Sequence, residues 1–154
     1  MLDTYDWSRP SSLQLARYAE FLVMAEFLRW GLEVYSTEVD ERGIDLLVRN
    51  NAGNIYDVQV KSSRNLNYIF FRKETFAPRN NLYASVVLLM DDNPAALFLI
   101  PSTVWAQPTD LFVSRDYEGL KSKPEWGLNL SQKNLPLLEP YRFPQKVSLM
   151  LTPP

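Results

Sequence analysis

The stretch GIDLLVRNNAGNIYDVQVKSS, residues 43–63, restricts the fold more than any other part of the chain. Two runs rich in β-branched and apolar residues flank NNAGN, whose Gly53 and three Asn readily take the positive φ that a hairpin loop needs. Along IYDVQVKSS, Val58 and Val60 share one face of a strand, while Asp57, Gln59 and Lys61 share the other. A loop centred on Ala52 sets Asp45 opposite Gln59, with Lys61 one pleat away and opposite Gly43. Slipping the register by one residue would undo this arrangement. Taken alone, Gln59 and Lys61 also suit the polar face of an ordinary hairpin; a carboxylate, an amide and an amine together on one face form a candidate site.

Before the hairpin, Ser11 and Gln14 have the spacing of a capping box ahead of LQLARYAEFLVMAEFLRWG, and Gly31 is a natural stop, which predicts a first helix. Strands are predicted over 32–39, 43–49 and 55–63, with a further extended piece at NYIFFRKE. LYASVVLLM and AALFLIP flank DDNP and predict a second hairpin, its strands buried on both faces. PSTVWAQ opens a short helix at Ser102, and SQKNLPLLEPY begins another at Ser131 that Pro136 and Pro140 limit. Tyr117, Trp126 and Trp105 read as packing residues. The order of helix, three-strand meander and mixed elements gives an α/β class with a central mixed sheet flanked by helices. At 154 residues the chain reads as one domain, with a core over 11–106 and a Pro-rich C-terminal extension over 107–154.

The sequence holds no His and no Cys. This removes imidazole bases, thiolate metal sites, Ser-His and Cys-His nucleophiles and disulfides, leaving carboxylates, Lys, hydroxyls or a hard, oxygen-bound metal. The lack of Cys suits a cytoplasmic protein. MLDTYDWSRPSS does not read as a signal peptide, and no run approaches the length of a membrane span. A net charge of −2 offers no global argument for nucleic acid, so any such argument is local.

A helical projection places Glu20 among Leu13, Ala16, Val23, Met24 and Phe27, with Glu26 and Arg29 pointing away. A buried carboxylate there needs compensation, for which three sources stand open: a divalent ion shared with Asp45, the Lys61 ammonium, or Arg17 one turn back. Glu20, Asp45, the Gln59 amide oxygen and the Val60 carbonyl make an oxygen-only shell suited to Mg²⁺ or Mn²⁺. Such an ion polarises phosphodiesters, and Lys61 beside it can orient or deprotonate the attacking water.

A helix carrying Glu (YAEFLVMAEFLRWG), a strand, GIDLLV, a Gly-bearing loop and YDVQVKSS resemble the PD-(D/E)XK nuclease superfamily over residues 13–64. The resemblance implies a restriction-endonuclease-like core. It also implies catalytic roles for Glu20 as the helix Glu, Asp45 as the motif Asp, Gln59 at the second acidic position and Lys61 as the motif Lys. Gly43-Ile44 stands where Pro precedes the Asp in the motif, and Gln59 replaces an acid.

From Lys61 to Arg79 five cations face one acid, Glu74, interleaved with Tyr68, Phe70, Phe71 and Phe76. Ser62, Ser63, Arg64, Arg72, Lys73 and Arg79 are the candidate DNA contacts. An edge strand with a solvated basic face reads equally well. The expectation is a Mg²⁺- or Mn²⁺-dependent endonuclease on DNA, dimeric if both strands are cut; the alternatives are a catalytically inactive nuclease-fold module for DNA or protein binding, and a purely structural protein.

Overall fold

The structure, a computed structural model, describes residues 5–39 and 42–151. The first helix, α1 (Ser12–Arg29), starts on the expected box: Gln14 N–H donates to Ser11 Oγ at 3.2 Å and Ser11 N–H to Gln14 Oε1 at 2.8 Å. It stops at Gly31, whose φ of +80° lets Gly31 N–H reach Leu28 O and Leu32 N–H reach Phe27 O. Leu15, Ala19, Val23 and Phe27 form its buried line.

Strands β1 (Glu33–Ser36), β2 (Leu46–Arg49) and β3 (Ile55–Arg64) make the antiparallel meander, and the hairpin register is the one the loop implied: Arg49 opposite Ile55, Leu46 opposite Val58. Asn50 fixes that loop from inside. Its Oδ1 accepts the Ala52 and Asn54 N–H groups, and its Nδ2 donates to Met150 O at 2.7 Å. Residues 65–81 then cross over, carrying β4 (Ile69–Arg72), to β5 (Leu82–Leu89), which lies parallel to β3 and is followed by antiparallel β6 (Ala96–Pro101). The main sheet is thus mixed, in the order β1-β2-β3-β5-β6. β5 is buried along its whole length, as its continuous apolar run implied, whereas β6, expected to be buried likewise, is an edge strand with Ala96, Leu97 and Pro101 only half-buried.

The Pro-rich segment contributes more structure than its text suggests. β7 (Phe112–Arg115) and β8 (Glu125–Leu128) join β4 in a second antiparallel sheet, β4-β8-β7. Short helices α2 (Leu135–Leu138), α3 (Phe143–Lys146) and α4 (Ser148–Leu151) follow. One helix face of the main sheet is covered by α1 together with Phe143, Val147 and Met150, packed on Leu46, Val48, Tyr56 and Val58. The other face meets the second sheet through Ala84, Val86 and Leu88, packed with Phe71, Phe76, Trp105, Phe112 and Leu128. Trp105, in a 3₁₀ turn at Ser102–Ala106, is fully buried and donates from Nε1 to Gly127 O at 2.8 Å; Trp126 Nε1 donates to Phe76 O. Both are packing residues, as expected. No described helix is long and apolar enough to cross a membrane.

Candidate active site

The site grows from the mouth of the β2–β3 hairpin. Thr37 N–H donates to Asp45 O at 3.1 Å, one step past the last β1–β2 pair, and Thr37 Oγ1 donates to Ile44 O at 2.8 Å, which ties residues 44–45 to the end of β1. Gly43 makes the bend with φ +69°; a Cβ there would stand 3.0 Å from Thr75 Oγ1 and 3.5 Å from Gln59 Nε2. Asp45 therefore does not simply continue the ladder against Gln59. Its N–H donates to Val58 O at 3.0 Å and its Oδ2 accepts Val60 N–H at 2.7 Å, so it straddles Gln59 through the residues on either side. A carboxylate held by a backbone donor has a fixed orientation.

Gln59 is 8% exposed, and its Oε1 is fully buried with no hydrogen-bond partner among the described residues. An acceptor left in that state costs about 1–3 kcal/mol. Such an atom calls for a partner such as an ordered water or a bound ion, which makes this oxygen a mark of a candidate site; Arg64 Nε, whose Nη2 pairs with Asp91, is the other such atom among the described residues. Lys61, half-buried on the same face of β3, makes no ion pair among the described residues; its Nζ lies 5.9 Å from the Phe70 ring centroid and 5.8 Å from that of Phe71. In register, Gln59 neighbours Ala84 and Lys61 neighbours Val86 on the face that meets the second sheet.

Glu20 is placed differently from the helical projection. The buried line runs through Leu15, Ala19, Val23 and Phe27, whereas Leu13 is 84% exposed, so Glu20 flanks the stripe with a side chain 29% exposed. The sheet meets α1 on a line rotated from the one assumed, and hydrophobic count alone does not fix that phase. Of the three compensating groups, Arg17 is the one observed, its Nη1 donating to Glu20 Oε2 at 2.9 Å. Glu26, expected to point away, is the less exposed carboxylate at 23% and accepts from Arg29 and from Trp30 Nε1. Because α1 covers the face bearing Val58 and Val60, Glu20 belongs to the layer across the sheet from Gln59 and Lys61.

The basic stretch is largely neutralised by acids from elsewhere in the chain. Arg64 pairs with Asp91 at 3.1 Å, Lys73 with Asp116 at 2.6 Å and Arg79 with Asp57 at 2.6 Å. Ser62 is half-buried, and buried Ser63 donates to Asn65 O. Arg72 is exposed, over the Phe70 ring at 5.7 Å, and makes no ion pair among the described residues. The sequence gives no sign of Thr75, which abuts the Gly43 bend, and marks Phe70 only as one of four rings among the cations; a loop contact and a ring's outward direction leave no periodic signal. A separate groove of about 810 Å³ lies at the other end of β3, lined by Asn54, Tyr56, Asn81 and Tyr83, and offers no carboxylate or amine.

The donors fit a hard divalent cation in kind: Asp45, the orphaned Gln59 Oε1 and backbone carbonyl oxygen. Among the described residues no group of three or more carboxylates is gathered for a metal.

No family model and no curated protein matches the chain. Among solved structures it is similar to a bacterial homing endonuclease, I-Ssp6803I, at 16% identity over 91% of this chain and 94% of that one, with a TM-score of 0.58. Archaeoglobus fulgidus Hjc, a Holliday junction resolvase from an archaeal hyperthermophile, aligns at 14% identity over 79% of this chain and 88% of that one, with a TM-score of 0.49. With its N-terminal helix, meander and mixed central sheet, the chain has a restriction-endonuclease-like fold.

Proposed function

We propose that the chain is an endonuclease that hydrolyses DNA phosphodiester bonds with Mg²⁺ or Mn²⁺, using Asp45, Gln59 and Lys61. The observation that carries this reading is the buried Gln59 Oε1, without a partner among the described residues, on a strand whose next amide orients the Asp45 carboxylate and whose Lys61, two residues on, makes no ion pair among the described residues. An ordinary hairpin gains nothing by keeping that oxygen unsatisfied. The nuclease fold of the homing endonuclease supports the same reading.

Asp45, Gln59 Oε1 and the Val60 carbonyl would hold the ion, which when bound polarises the phosphodiester. Val60 N–H keeps the Asp45 carboxylate from rotating away. Lys61 assists the attacking water, and its charge offsets the negative charge growing on the phosphate oxygens. The rings of Phe70 and Phe71 limit where that ammonium can go. Glu20, on the α1 side of the sheet and paired with Arg17, is left out of that shell, and Glu20→Gln is the variant that tests its exclusion. Arg72 and the main-chain groups near Ser62 would meet the phosphate backbone, with Arg64, Lys73 and Arg79 contributing once DNA competes for them.

The test is cleavage of supercoiled plasmid with Mg²⁺ or Mn²⁺ by the parent, Asp45→Asn and Lys61→Ala. Each substitution is expected to lower the rate by about a hundredfold or more; activity that survives both ends the assignment. A second reading, a nuclease-fold DNA-binding module without catalysis, is favoured by one fact: Gln59 supplies an amide where a charge would bind metal more strongly. It predicts no cleavage and DNA binding that ignores Asp45→Asn.

A further inference from the structure

The outer face of the second sheet offers more than a phosphate contact at Arg72. Register aligns Phe70, Gly127 and Val113 in one row across β4, β8 and β7, and Arg72, Glu125 and Arg115 in the next. The alternate residues Ile69, Phe71, Leu128 and Phe112 point into the core. Phe70 is left 41% exposed, with Lys61 and Arg72 both within 6 Å of its centroid. Tyr68 lies flat over Gly127, where a Cβ would fall 2.1 Å from its hydroxyl, and donates to Glu125 Oε2 at 2.5 Å. The Arg115 guanidinium sits 4.4 Å from the Tyr68 centroid. Two rings and two cations thus share one surface, with Lys61 reaching its β4 edge between Phe70 and the core ring Phe71, and the acid in its rows, Glu125, is buried and engaged by the Tyr68 hydroxyl.

We propose that this face binds an unpaired base of the DNA substrate, stacked on Phe70 next to Lys61, with Arg72 and Arg115 on the flanking phosphates. Cations neutralise phosphates and exposed rings offer stacking area to any base. A paired base exposes only its edges in the grooves, whereas an unpaired one can present its ring face. The surface therefore selects single-stranded, gapped or branched DNA over intact duplex. The proposal rests on the nuclease reading for its placement beside Lys61, but its own test needs no cleavage.

The probe is a single-stranded DNA oligonucleotide carrying 2-aminopurine, titrated in Ca²⁺ with the parent, Phe70→Ala, Phe70→Tyr and Lys61→Ala. A duplex of the same sequence and an RNA strand are run beside it. Stacking predicts quenching by the parent and by Phe70→Tyr. It predicts that Phe70→Ala loses the quenching and about tenfold in single-strand affinity, with duplex affinity unchanged. Unaltered quenching with Phe70→Ala, an equal loss on duplex, or tighter binding of RNA than of DNA overturns the proposal. A parent that quenches but cleaves neither plasmid nor single-stranded, gapped or branched DNA would remove the nuclease assignment and keep this one; a parent that cleaves without quenching does the reverse.

Discussion

Replacing Gln59 with Met is expected to make the metal-free protein more stable. Gln59 Oε1 is buried without a partner among the described residues, and an acceptor in that state costs about 1–3 kcal/mol relative to its hydrated form. Met has similar length and no acceptor to satisfy, and repacking around a side chain of nearly equal volume costs about 1 kcal/mol or less. The net gain is about 1–2 kcal/mol. For a chain of 154 residues that raises Tm by about 2–8 °C. Divalent metal should reverse the order, because a ligand at a hundred times its Kd stabilises the protein that binds it by about 2.7 kcal/mol. The assay is thermal unfolding by circular dichroism, in EDTA and in saturating Mn²⁺. A variant that melts several degrees below the parent in EDTA would mean that Oε1 is satisfied in the native state. Equal stabilisation of both proteins by Mn²⁺ would mean that the metal binds elsewhere.

Other perturbations probe the supports of the site. Gly43→Ala places a Cβ 3.0 Å from Thr75 Oγ1 at a φ of +69°, so urea unfolding should show a loss of about 1–2 kcal/mol; a neutral result would mean the bend relaxes freely. Gly127→Ala drives a methyl into the Tyr68 ring and should cost about 2–3 kcal/mol, while Tyr68→Ala in the same background should recover part of that loss. Burial, and then the hydrogen bond to Glu125, raise the Tyr68 phenol well above its ordinary value of 10.0. The difference in absorbance at 295 nm between parent and Tyr68→Phe should therefore appear only well above pH 10, and its appearance near pH 10 would show a solvated hydroxyl. Arg29, hydrogen-bonded to Glu26, holds that carboxyl below its ordinary 4.5. A depressed folded value means that Glu26 stabilises the fold above pH 4.5 and that this contribution fades as pH falls through the folded value. Glu26→Gln should flatten the acid limb of the stability profile, and an unchanged limb would refute the pairing.

What was legible in the sequence was what local chemistry determines. Ser11, Gln14 and Gly31 delimit α1, and NNAGN fixes the β2–β3 register from Arg49–Ile55 to Leu46–Val58; the expected step to Asp45 opposite Gln59 gives way to Asp45 bonding Val58 O and Val60 N–H. The parallel β3–β5 pair joins residues separated by a whole crossover, which no local pattern announces. The second sheet was missed because β8, EWGL, does not look like a strand: Gly127 has no side chain to show, its place being covered by Tyr68. The phase of α1 depended on where the sheet would meet it, and that moved Glu20 from the stripe to its edge. Counting charges along 61–79 failed for a similar reason, since Asp57, Asp91 and Asp116 arrive from other elements to pair with the cations. The Asp45 carboxylate on Val60 N–H and the orphaned Gln59 oxygen are visible only in three dimensions, and the proposed site rests on them more than on its letters.

Asp45 and Gln59 are proposed to form a hard-metal centre together. Anomalous difference density from crystals soaked in Mn²⁺ tests it most directly. The account predicts one peak in contact with both an Asp45 carboxylate oxygen and Gln59 Oε1. A peak that touches neither residue, or no peak at concentrations that support DNA cleavage, would contradict it.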